Sequence, residues 1–262
     1  MAEGYLNSLC LPNITAESRG FGYDGDPVSE NSAAVMKEIG IDISAHRSRH
    51  ITADNLNADR IICMTSAHKS ALAAAGIDST VLGGGISDPF GSGLEVYRKC
   101  RDEITSAVRQ LAFGGFFTDF HIRTADINDA ERIAAVEKSC FSSPWSENAI
   151  KESLQAGTHM FAAEGADGIV GYIGVNCVAG EGYITDIAVY ENMRGKGVGS
   201  YLISYTVESA KAAGLEFLSL EVRVSNENAI RLYKKYGFVQ EGRRKNFYTD
   251  PREDALILTK RF

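Results

Sequence analysis

The sequence has few of the features that mark an exported, membrane-inserted or nucleic-acid-binding protein. Its five cysteines, Cys10, Cys63, Cys100, Cys140 and Cys177, are odd in number, widely scattered and never spaced as Cys-x-x-Cys. Neither a disulfide framework nor a zinc site follows from that pattern. No apolar run approaches the roughly 18 residues of a membrane span. The opening Met1-Ala-Glu-Gly-Tyr-Leu carries an acid where a secretory leader carries positive charge. A cytoplasmic location is expected, without export or membrane insertion. Net positive charge is lacking too: 27 Lys and Arg stand against 34 Asp and Glu, giving −7 and a pI near 5.3. A general nucleic-acid binder needs a cationic surface to displace counterions from phosphates, so direct nucleic-acid binding is not expected. Internal repeats and low-complexity tracts are also absent.

What is present is a globular composition, 44% hydrophobic and 23% charged over 262 residues, enough for one large domain or two ordinary ones. The clearest boundary is Phe113-Gly114-Gly115-Phe116-Phe117, where paired glycines end an amphipathic stretch over 94–111. We therefore expect a first domain over 1–113, a linker over 114–118 and a second domain over 119–262. Upstream, helix-like segments (29–39, 66–75, 94–111) alternate with short apolar runs at 60–64 and 79–82, the pattern of a parallel, doubly wound α/β sheet. Downstream, two helices (126–139, 146–155) precede three strands (159–164, 169–178, 182–190) joined by short glycine-containing turns. A helix over 197–213, a strand over 217–223, a helix over 226–236 and a final strand pair near 239–248 and 255–259 complete an α+β pattern with a mixed, mostly antiparallel sheet.

The most informative segment runs from Ile184 through Thr-Asp-Ile187-Ala188-Val189-Tyr190 to Arg194-Gly195-Lys196-Gly197-Val198-Gly199-Ser200. It reads as a strand, a glycine-rich turn and a helix start. Glycines at 195, 197 and 199 let backbone N–H groups converge on an anion, and the helix adds the positive end of its dipole. A dinucleotide fingerprint needs a glycine where Ser200 stands, and a nucleoside-triphosphate loop needs Gly-Lys-Ser/Thr after four spacers; neither fits. On the turn alone, a phosphate site and a ligand-free strand-to-helix connection both remain open.

Arg194-x-x-Gly197-x-Gly199 after a strand resembles the coenzyme A pyrophosphate signature of the GNAT superfamily of N-acetyltransferases. The run Leu220-Glu221-Val222-Arg223-x-Ser225-Asn226-x-x-Ala229-Ile230-x-Leu232-Tyr233-x-x-x-Gly237-Phe238 resembles its RimI-type branch, which acetylates the N-terminal alanine of ribosomal protein S18. Phe141-x-x-Pro144-Trp145-Ser146, Arg244-Lys245-Asn246-Phe247-Tyr248 and Arg252-Glu253-Asp254-Ala255 extend the likeness over essentially all of 120–262. The resemblance implies an acyltransferase with acetyl-CoA as cosubstrate, no metal, and S18 or other protein N-termini as partners. It further implies that the backbone of Ile187, Ala188 and Val189 contacts the acetyl-pantetheine arm. Around the pyrophosphate it implies Arg194 and the amides of Gly195, Lys196, Gly197, Val198, Gly199 and Ser200, with Asn226 helping to hold the cofactor. Glu221 corresponds to the general base and Tyr233 to the general acid; Trp145 and Tyr248 flank the acceptor peptide.

The chemistry is compatible with those roles. An α-amino group with a pKa of about 8 is mostly protonated at neutral pH and attacks a thioester only as the free base, so a nearby carboxylate is useful. In the 217–223 strand the apolar residues hold even positions, which puts Glu221 on the other face with Ser219 and Arg223. The alternative for Glu221 is a solvated or arginine-paired strand carboxylate. The departing thiolate, with a parent thiol pKa of about 8.5 by analogy with cysteine, needs a proton that a phenol can donate. Tyr233 stands three residues after Ile230 and four after Ala229, so core packing is its alternative. Backbone N–H groups of a splayed strand at 187–189 are candidate donors to the carbonyl oxygen. Ser225 and Asn226 are equally ordinary helix N-caps, and Trp145 and Tyr248 are equally surface-anchoring aromatics. Arg243, Arg244 and Lys245 either attract an acidic acceptor segment or form a solvated strand edge.

In the first half, Asp88-Pro89-Phe90-Gly91-x-Gly93-x-x-x-Tyr97 resembles the general-acid loop of low-molecular-weight protein tyrosine phosphatases and their bacterial arginine-phosphatase relatives. Met1-Ala-Glu and Met64-Thr-x-x-His68-Lys69 extend that likeness to about residue 111. Asp88 corresponds to the acid that protonates the leaving group. The family's phosphate loop, Cys-x-x-x-x-x-Arg-Ser-Pro, stands immediately before the Met-Ala-Glu that opens this sequence, so Asp88 is expected to be a vestigial acid. The phosphate loop and the first strand lie together in that family, and strand edges or apolar surface are expected to be unpaired. Either an upstream start restores a bifunctional phosphatase and acetyltransferase, or this half is a non-catalytic interaction module. Cys10 reads as a buried helical thiol, with Ala16 six residues later. His46 and His50, separated by Arg47 and Arg49, read as a charged loop and no metal ligand set. Gly83-Gly84-Gly85 reads as a flexible loop.

Overall fold

The computed structural model describes residues 1–22, 24–52 and 56–262. The chain divides into two compact units, Met1–Leu9 with Asn13–Ala112, and Cys10–Pro12 with Phe113–Phe262.

The first unit comprises helices α1 (Ala2–Ser8), α2 (Glu30–Glu38), α3 (Ser66–Ala74) and α4 (Leu94–Phe113) and a parallel strand pair, β1 (Ile62–Cys63) and β2 (Thr80–Val81). Local chemistry fixes the helix starts: the Ser29 hydroxyl accepts from Ser32 N–H and the Thr65 hydroxyl from His68 N–H, each an N-cap. Along α4, Tyr97, Cys100, Ile104 and Val108 recur at three- and four-residue spacing and are all buried, the apolar stripe that packs this helix. Among the described residues no third strand joins β1 and β2. Two expectations fail here. Cys10 is exposed, beyond the end of α1, with φ 51°; the helix stops at Ser8 and leaves the thiol outside any apolar face. The 83–85 glycines are not a loose loop: Leu82–Gly84 forms a 3₁₀ turn and Gly85 N–H donates to the Leu82 carbonyl at 2.9 Å. Gly83 has φ 57°, and a Cβ there would stand 3.0 Å from that of Ala107, so backbone conformation and close packing both call for glycine.

The second unit is a seven-stranded sheet with helices. In chain order it comprises β3 (Phe120–Thr124), α5 (Ala130–Cys140), α6 (Glu147–Gln155), β4 (His159–Gly165), β5 (Gly168–Val178) and β6 (Glu181–Val189), then α7 (Val198–Ala212), β7 (Phe217–Arg223), α8 (Glu227–Lys235), β8 (Val239–Thr249) and β9 (Arg252–Arg261). The strand order is β3-β4-β5-β6-β7-β9-β8, antiparallel except for the β6/β7 pair. Strand β3, with Phe120 and Ile122 buried two residues apart, was not anticipated. Its five residues stand just behind the expected 114–118 linker, too short a run for a period-2 signal to stand out.

The core of this unit shows why the elements dock. On α5, Ala130, Ile133 and Val136 fall on one face and pack with Ile150 of α6, Met160 and Ala162 of β4, and Ile169 and Tyr172 of β5. Each fully buried aliphatic side chain contributes roughly 1.5–3 kcal/mol, so a handful of these contacts outweighs any single surface interaction. The turn before α5 is held by charge: Asp129, itself buried, receives Arg123 Nη1 and Nη2 at 2.7 and 2.8 Å and the Asp126 N–H at 2.9 Å. Arg123 also donates Nε to Glu164 at 2.5 Å, tying β3, β4 and the helix start together.

Two irregularities in β6 open the sheet beside α7. Pairing with β7 covers only Glu181, Gly182 and Tyr183, opposite Phe217, Leu218 and Ser219. The two strands close there over a glycine: a Cβ on Gly182 would lie 2.6 Å from Leu218 Cδ2. Beyond Tyr183 the strands part, β6 staying with β5 and β7 with β9. The second irregularity is a β-bulge: Ile173 pairs with Ile187 but Val175 pairs with Ile184, so Gly174 alone faces both Thr185 and Asp186.

Candidate active site

Downstream of β6, Glu191–Met193 makes one 3₁₀ turn before the glycines and α7. Gly195 and Gly197 have φ of 77° and 90°, left-handed values that cost a side-chain-bearing residue about 1–2 kcal/mol. Gly197 caps α7 without a side chain, leaving the N–H groups of Val198, Gly199 and Ser200 without intrahelical acceptors at the positive end of a 15-residue helix. A Cβ at Gly195 would meet nothing within 4 Å, whereas one on Gly197 would lie 2.7 Å from Pro12 Cγ, so the turn is open at Gly195 and closely packed at Gly197. The turn therefore fits a phosphate-bearing group. Val198 is different in kind: its side chain is buried in the core and only its backbone belongs to the turn. Arg194 folds back, donating Nε to the Val189 carbonyl at 3.1 Å, and Lys196 Nζ lies 3.8 Å from Met193 Sδ. A Cβ on Gly199 would stand 3.3 Å from Leu232 Cδ2, so the helix start lies against α8, one residue from Tyr233.

Ile187, Ala188 and Val189 sit beyond the last β6/β7 pair, bound on their other edge to Ile173, Tyr172 and Gly171 of β5. Their β7-facing main chain is outside any ladder. Across the gap, Glu221 of β7 is half-buried and its Oε1 lies 3.2 Å from Arg244 Nη1. Tyr248 of β8 donates its hydroxyl to the Glu221 carbonyl at 3.3 Å, while the Arg223 guanidinium lies 4.1 Å above its ring. Tyr233 of α8 is only 4% exposed, edge-on to Phe238, so it does pack in the core; burial, followed by the charges of Tyr248 and Asp186, pushes its phenol pKa well above the ordinary value. Glu221, Tyr233 and Tyr248, from three different elements, are thus gathered beside the parted strands. Asn226 is an observed N-cap, its Oδ1 accepting from Ala229 N–H at 3.2 Å. Trp145 packs against the α5/α6 core, and its main-chain N–H donates to Glu137 Oε2 at 2.9 Å. Of the basic run, Arg243 pairs with Asp254 at 2.7 Å and Arg244 with Glu221, so both carry specific partners.

Three polar groups at this place do not stand out in the sequence. Glu137, only 1% exposed, receives the Tyr172 hydroxyl as well as the Trp145 N–H. The third is Asp186, on the bulge. Its carboxyl has no hydrogen bond or ion pair among the described residues, and burial, with the Glu137 charge second, pushes its pKa up to about 6. The same Asp186 charge raises the phenols of Tyr172, Tyr233 and Tyr248. An acid inside the apolar strand Ile-Thr-Asp-Ile-Ala-Val was a visible signal for it, as was Glu137 four residues after Ile133 on the buried face of α5.

In the first unit the Asp88 carboxyl accepts from Phe90 N–H at 3.0 Å, and Phe90 is 81% exposed. His46 Nδ1 lies 3.7 Å from Glu3 Oε2, whereas the His50 ring bonds to the Gly22 carbonyl, so the two imidazoles have separate partners. Among the described residues no group of three His, Cys, Asp or Glu side chains is placed to hold a metal ion, and no helix is long and apolar enough to cross a membrane.

A mixed, mostly antiparallel sheet whose one parallel pair parts beside a glycine-capped helix start places the second unit in the α+β class. Residues 130–238 match the acetyltransferase (GNAT) family and residues 1–120 match the low molecular weight phosphotyrosine protein phosphatase family. A putative ribosomal protein bS18-alanine N-acetyltransferase of Bacillus subtilis is 38% identical over 139 residues, covering 52% of this chain and 92% of that relative. A protein-arginine-phosphatase of Geobacillus stearothermophilus is 35% identical over 130 residues, covering 43% of this chain and 84% of that relative. The crystal structure of the ribosomal-protein-S18-alanine N-acetyltransferase of Escherichia coli aligns with a TM-score of 0.52 at 28% identity, over 54% of this chain and 93% of that one. The chain belongs to the GNAT acetyltransferase family through its C-terminal half and to the low-molecular-weight phosphatase family through its N-terminal half.

Proposed function

We propose that residues 119–262 form a domain that transfers acetyl from acetyl-CoA to the α-amine of a protein N-terminus, with the N-terminal alanine of ribosomal protein S18 as its acceptor. One observation carries this reading: a half-buried strand carboxylate, Glu221, and a buried phenol, Tyr233, stand beside a parted strand pair that leads to a helix start rich in free N–H donors. Acetyl-CoA supplies an activated thioester. In this reading the amides of Gly195, Lys196, Gly197, Val198, Gly199 and Ser200 hold its pyrophosphate, with Arg194 and Lys196 nearby for charge. The main chain of Ile187, Ala188 and Val189 binds the pantetheine arm and orients the acyl carbonyl. Glu221 Oε accepts the proton of the acceptor ammonium, and the Tyr233 hydroxyl donates one to the leaving sulfur. Asn226 acts by capping α8 and so fixing Tyr233. Trp145 and Tyr248 flank the acceptor. The S18 acceptor rests on the bS18-specific relatives, each similar over about half of this chain. The test is incubation of the full chain with labelled acetyl-CoA and a panel of peptides differing at the first residue, read by mass. Label on the α-amine of alanine-first peptides is expected; label only on lysine side chains, or none, contradicts the reading.

A second reading is favoured by the phosphatase-family match over 1–120: a bifunctional or formerly bifunctional phosphatase and acetyltransferase, with Asp88 as the old acid and the first unit now an interaction module. Phosphate release from phosphoarginine or phosphotyrosine peptides by the full chain would make that unit an enzyme. Its absence, with retained binding of a partner protein, would make it a module.

A further inference from the structure

Glu137, in the last turn of α5, is a buried carboxyl that the transfer chemistry does not use. Its Oε2 accepts the main-chain N–H of Trp145 at 2.9 Å, and its Oε1 accepts the hydroxyl of Tyr172. Its own carbonyl accepts the Phe141 N–H, also at 2.9 Å. The segment that leaves α5 and leads to α6 is therefore held at its beginning and its end by one residue. Between those two bonds Ser142, Ser143 and Pro144 are exposed and make no hydrogen bond among the described residues.

The same residue joins this loop to the strand that lines the proposed acyl site. Tyr172, whose hydroxyl it receives, stands opposite Ala188 in the β5/β6 ladder. Cys140, the residue before the loop, donates its thiol to the Val189 carbonyl at 3.4 Å. Core packing does not call for a carboxyl here, because Ala130, Ile133 and Val136 already seat α5 on the sheet. Withdrawing a carboxyl from water is unfavourable, and an aliphatic side chain in its place would avoid that cost. An aliphatic side chain could not, however, accept the Trp145 N–H, and the loop would then lose the bond that closes it.

We propose that Glu137 is a positioning residue for the acceptor peptide: it clasps the 141–145 loop to the β5/β6 ladder in the shape that receives the peptide, without touching the reacting atoms. This rests on the acetyl-transfer reading above, in which Trp145 flanks the acceptor, and adds to it the group that holds Trp145 in place. Loss of the clasp falls on acceptor binding and leaves the coenzyme turn, Glu221 and Tyr233 as they are. In kinetic terms it raises KM for the peptide and spares kcat.

The experiment is steady-state kinetics of the full chain with acetyl-CoA and an alanine-first peptide. Glu137→Ala should raise the peptide KM about tenfold, the loss of one hydrogen bond, and change kcat and the KM for acetyl-CoA by less than about threefold. Glu137→Gln keeps an oxygen that accepts the Trp145 N–H and should return the peptide KM to within about threefold of wild type. Tyr172→Phe deletes only the other bond and should also stay within about threefold. An unchanged peptide KM in Glu137→Ala, no rescue by Glu137→Gln, or a Tyr172→Phe loss equal to that of Glu137→Ala overturns this inference alone. An arm that needs no variant to fold is hydrogen exchange in the wild type. The Trp145 amide should exchange at least about tenfold more slowly than those of Ser142 and Ser143, and equal exchange overturns the clasp. Failure of the wild type to acetylate any peptide overturns the transfer reading and this one with it.

Discussion

The guanidinium of Arg244 on β8 reaches past β9 to stand 3.2 Å from the carboxylate of Glu221 on β7. The two strands are not neighbours, and Ala255 of β9 pairs with Arg223 on one side and Arg244 on the other. Arg244 is exposed and Glu221 half-buried, so the pair itself is worth at most about 1 kcal/mol. Glu221→Gln, by contrast, removes the proposed base. We predict that Arg244→Ala changes kcat/KM by less than about fivefold, while Glu221→Gln lowers kcat by about 100-fold or more and leaves coenzyme binding intact. Steady-state kinetics with an alanine-first peptide checks both. An Arg244→Ala loss as large as that of Glu221→Gln would assign the arginine a direct part in the reaction.

Tyr233 makes a separate prediction. Its phenol is held neutral by burial, its pKa raised above the ordinary value, so it stays a proton donor throughout the neutral and mildly alkaline range. Tyr233→Phe should lower kcat by about 10- to 100-fold with little change in the KM for acetyl-CoA. The wild-type profile should show no alkaline loss up to about pH 9 attributable to this group. An alkaline limb that disappears in Tyr233→Phe would contradict the assignment.

Asp186 ties the site to stability. Its pKa is higher folded than unfolded, about 6 against 3.8. Between those values the native state binds more protons than the unfolded chain, so stability falls as pH rises through that window. The charge costs the free protein on the order of 1–3 kcal/mol at neutral pH, allowing for its partial exposure. Asp186→Asn should therefore stabilise the second unit at pH 7.5, and the gain should vanish below about pH 4. Denaturation followed by the fluorescence of Trp145, the single tryptophan, reports this unit selectively. A destabilised variant at pH 7.5 would mean that the carboxylate has a favourable partner in the free protein.

The Arg123 network has the opposite sign. Asp129 and Glu164 are held below their ordinary values, chiefly by hydrogen bonds from Arg123. Their contribution is complete above the unfolded carboxylate range and is lost as pH falls through their depressed folded values. Arg123→Met leaves the buried Asp129 without its cation and should cost about 3 kcal/mol near neutrality. The difference from wild type should shrink in acid, again read through Trp145. A pH-independent difference would point to lost packing instead.

Much of the second unit was legible because its signals are local. The alternation of Leu218, Leu220 and Val222 fixes one face of β7, Asn226 caps α8 as its residue type predicts, and the glycines before α7 need left-handed backbone. What escaped was relational. The bulge that presents Asp186 is a register shift between two strands, and the Arg244–Glu221 pair spans a third strand; neither can be read along the chain. Strand β3 was too short and too near the glycine boundary to stand out. Cys10 was misread because an apolar-looking start continues to Leu9, while the helix itself ends at Ser8.

Acetyl transfer by the second unit requires the helix start at Val198, Gly199 and Ser200 to receive a diphosphate. Calorimetric titration of the full chain with coenzyme A tests this most directly. We predict one-to-one association that weakens at least tenfold in Gly197→Val, whose side chain disfavours the left-handed conformation and would collide with Pro12, so that the turn must shift. Absence of binding by the wild-type chain, or equal binding by that variant, would contradict it.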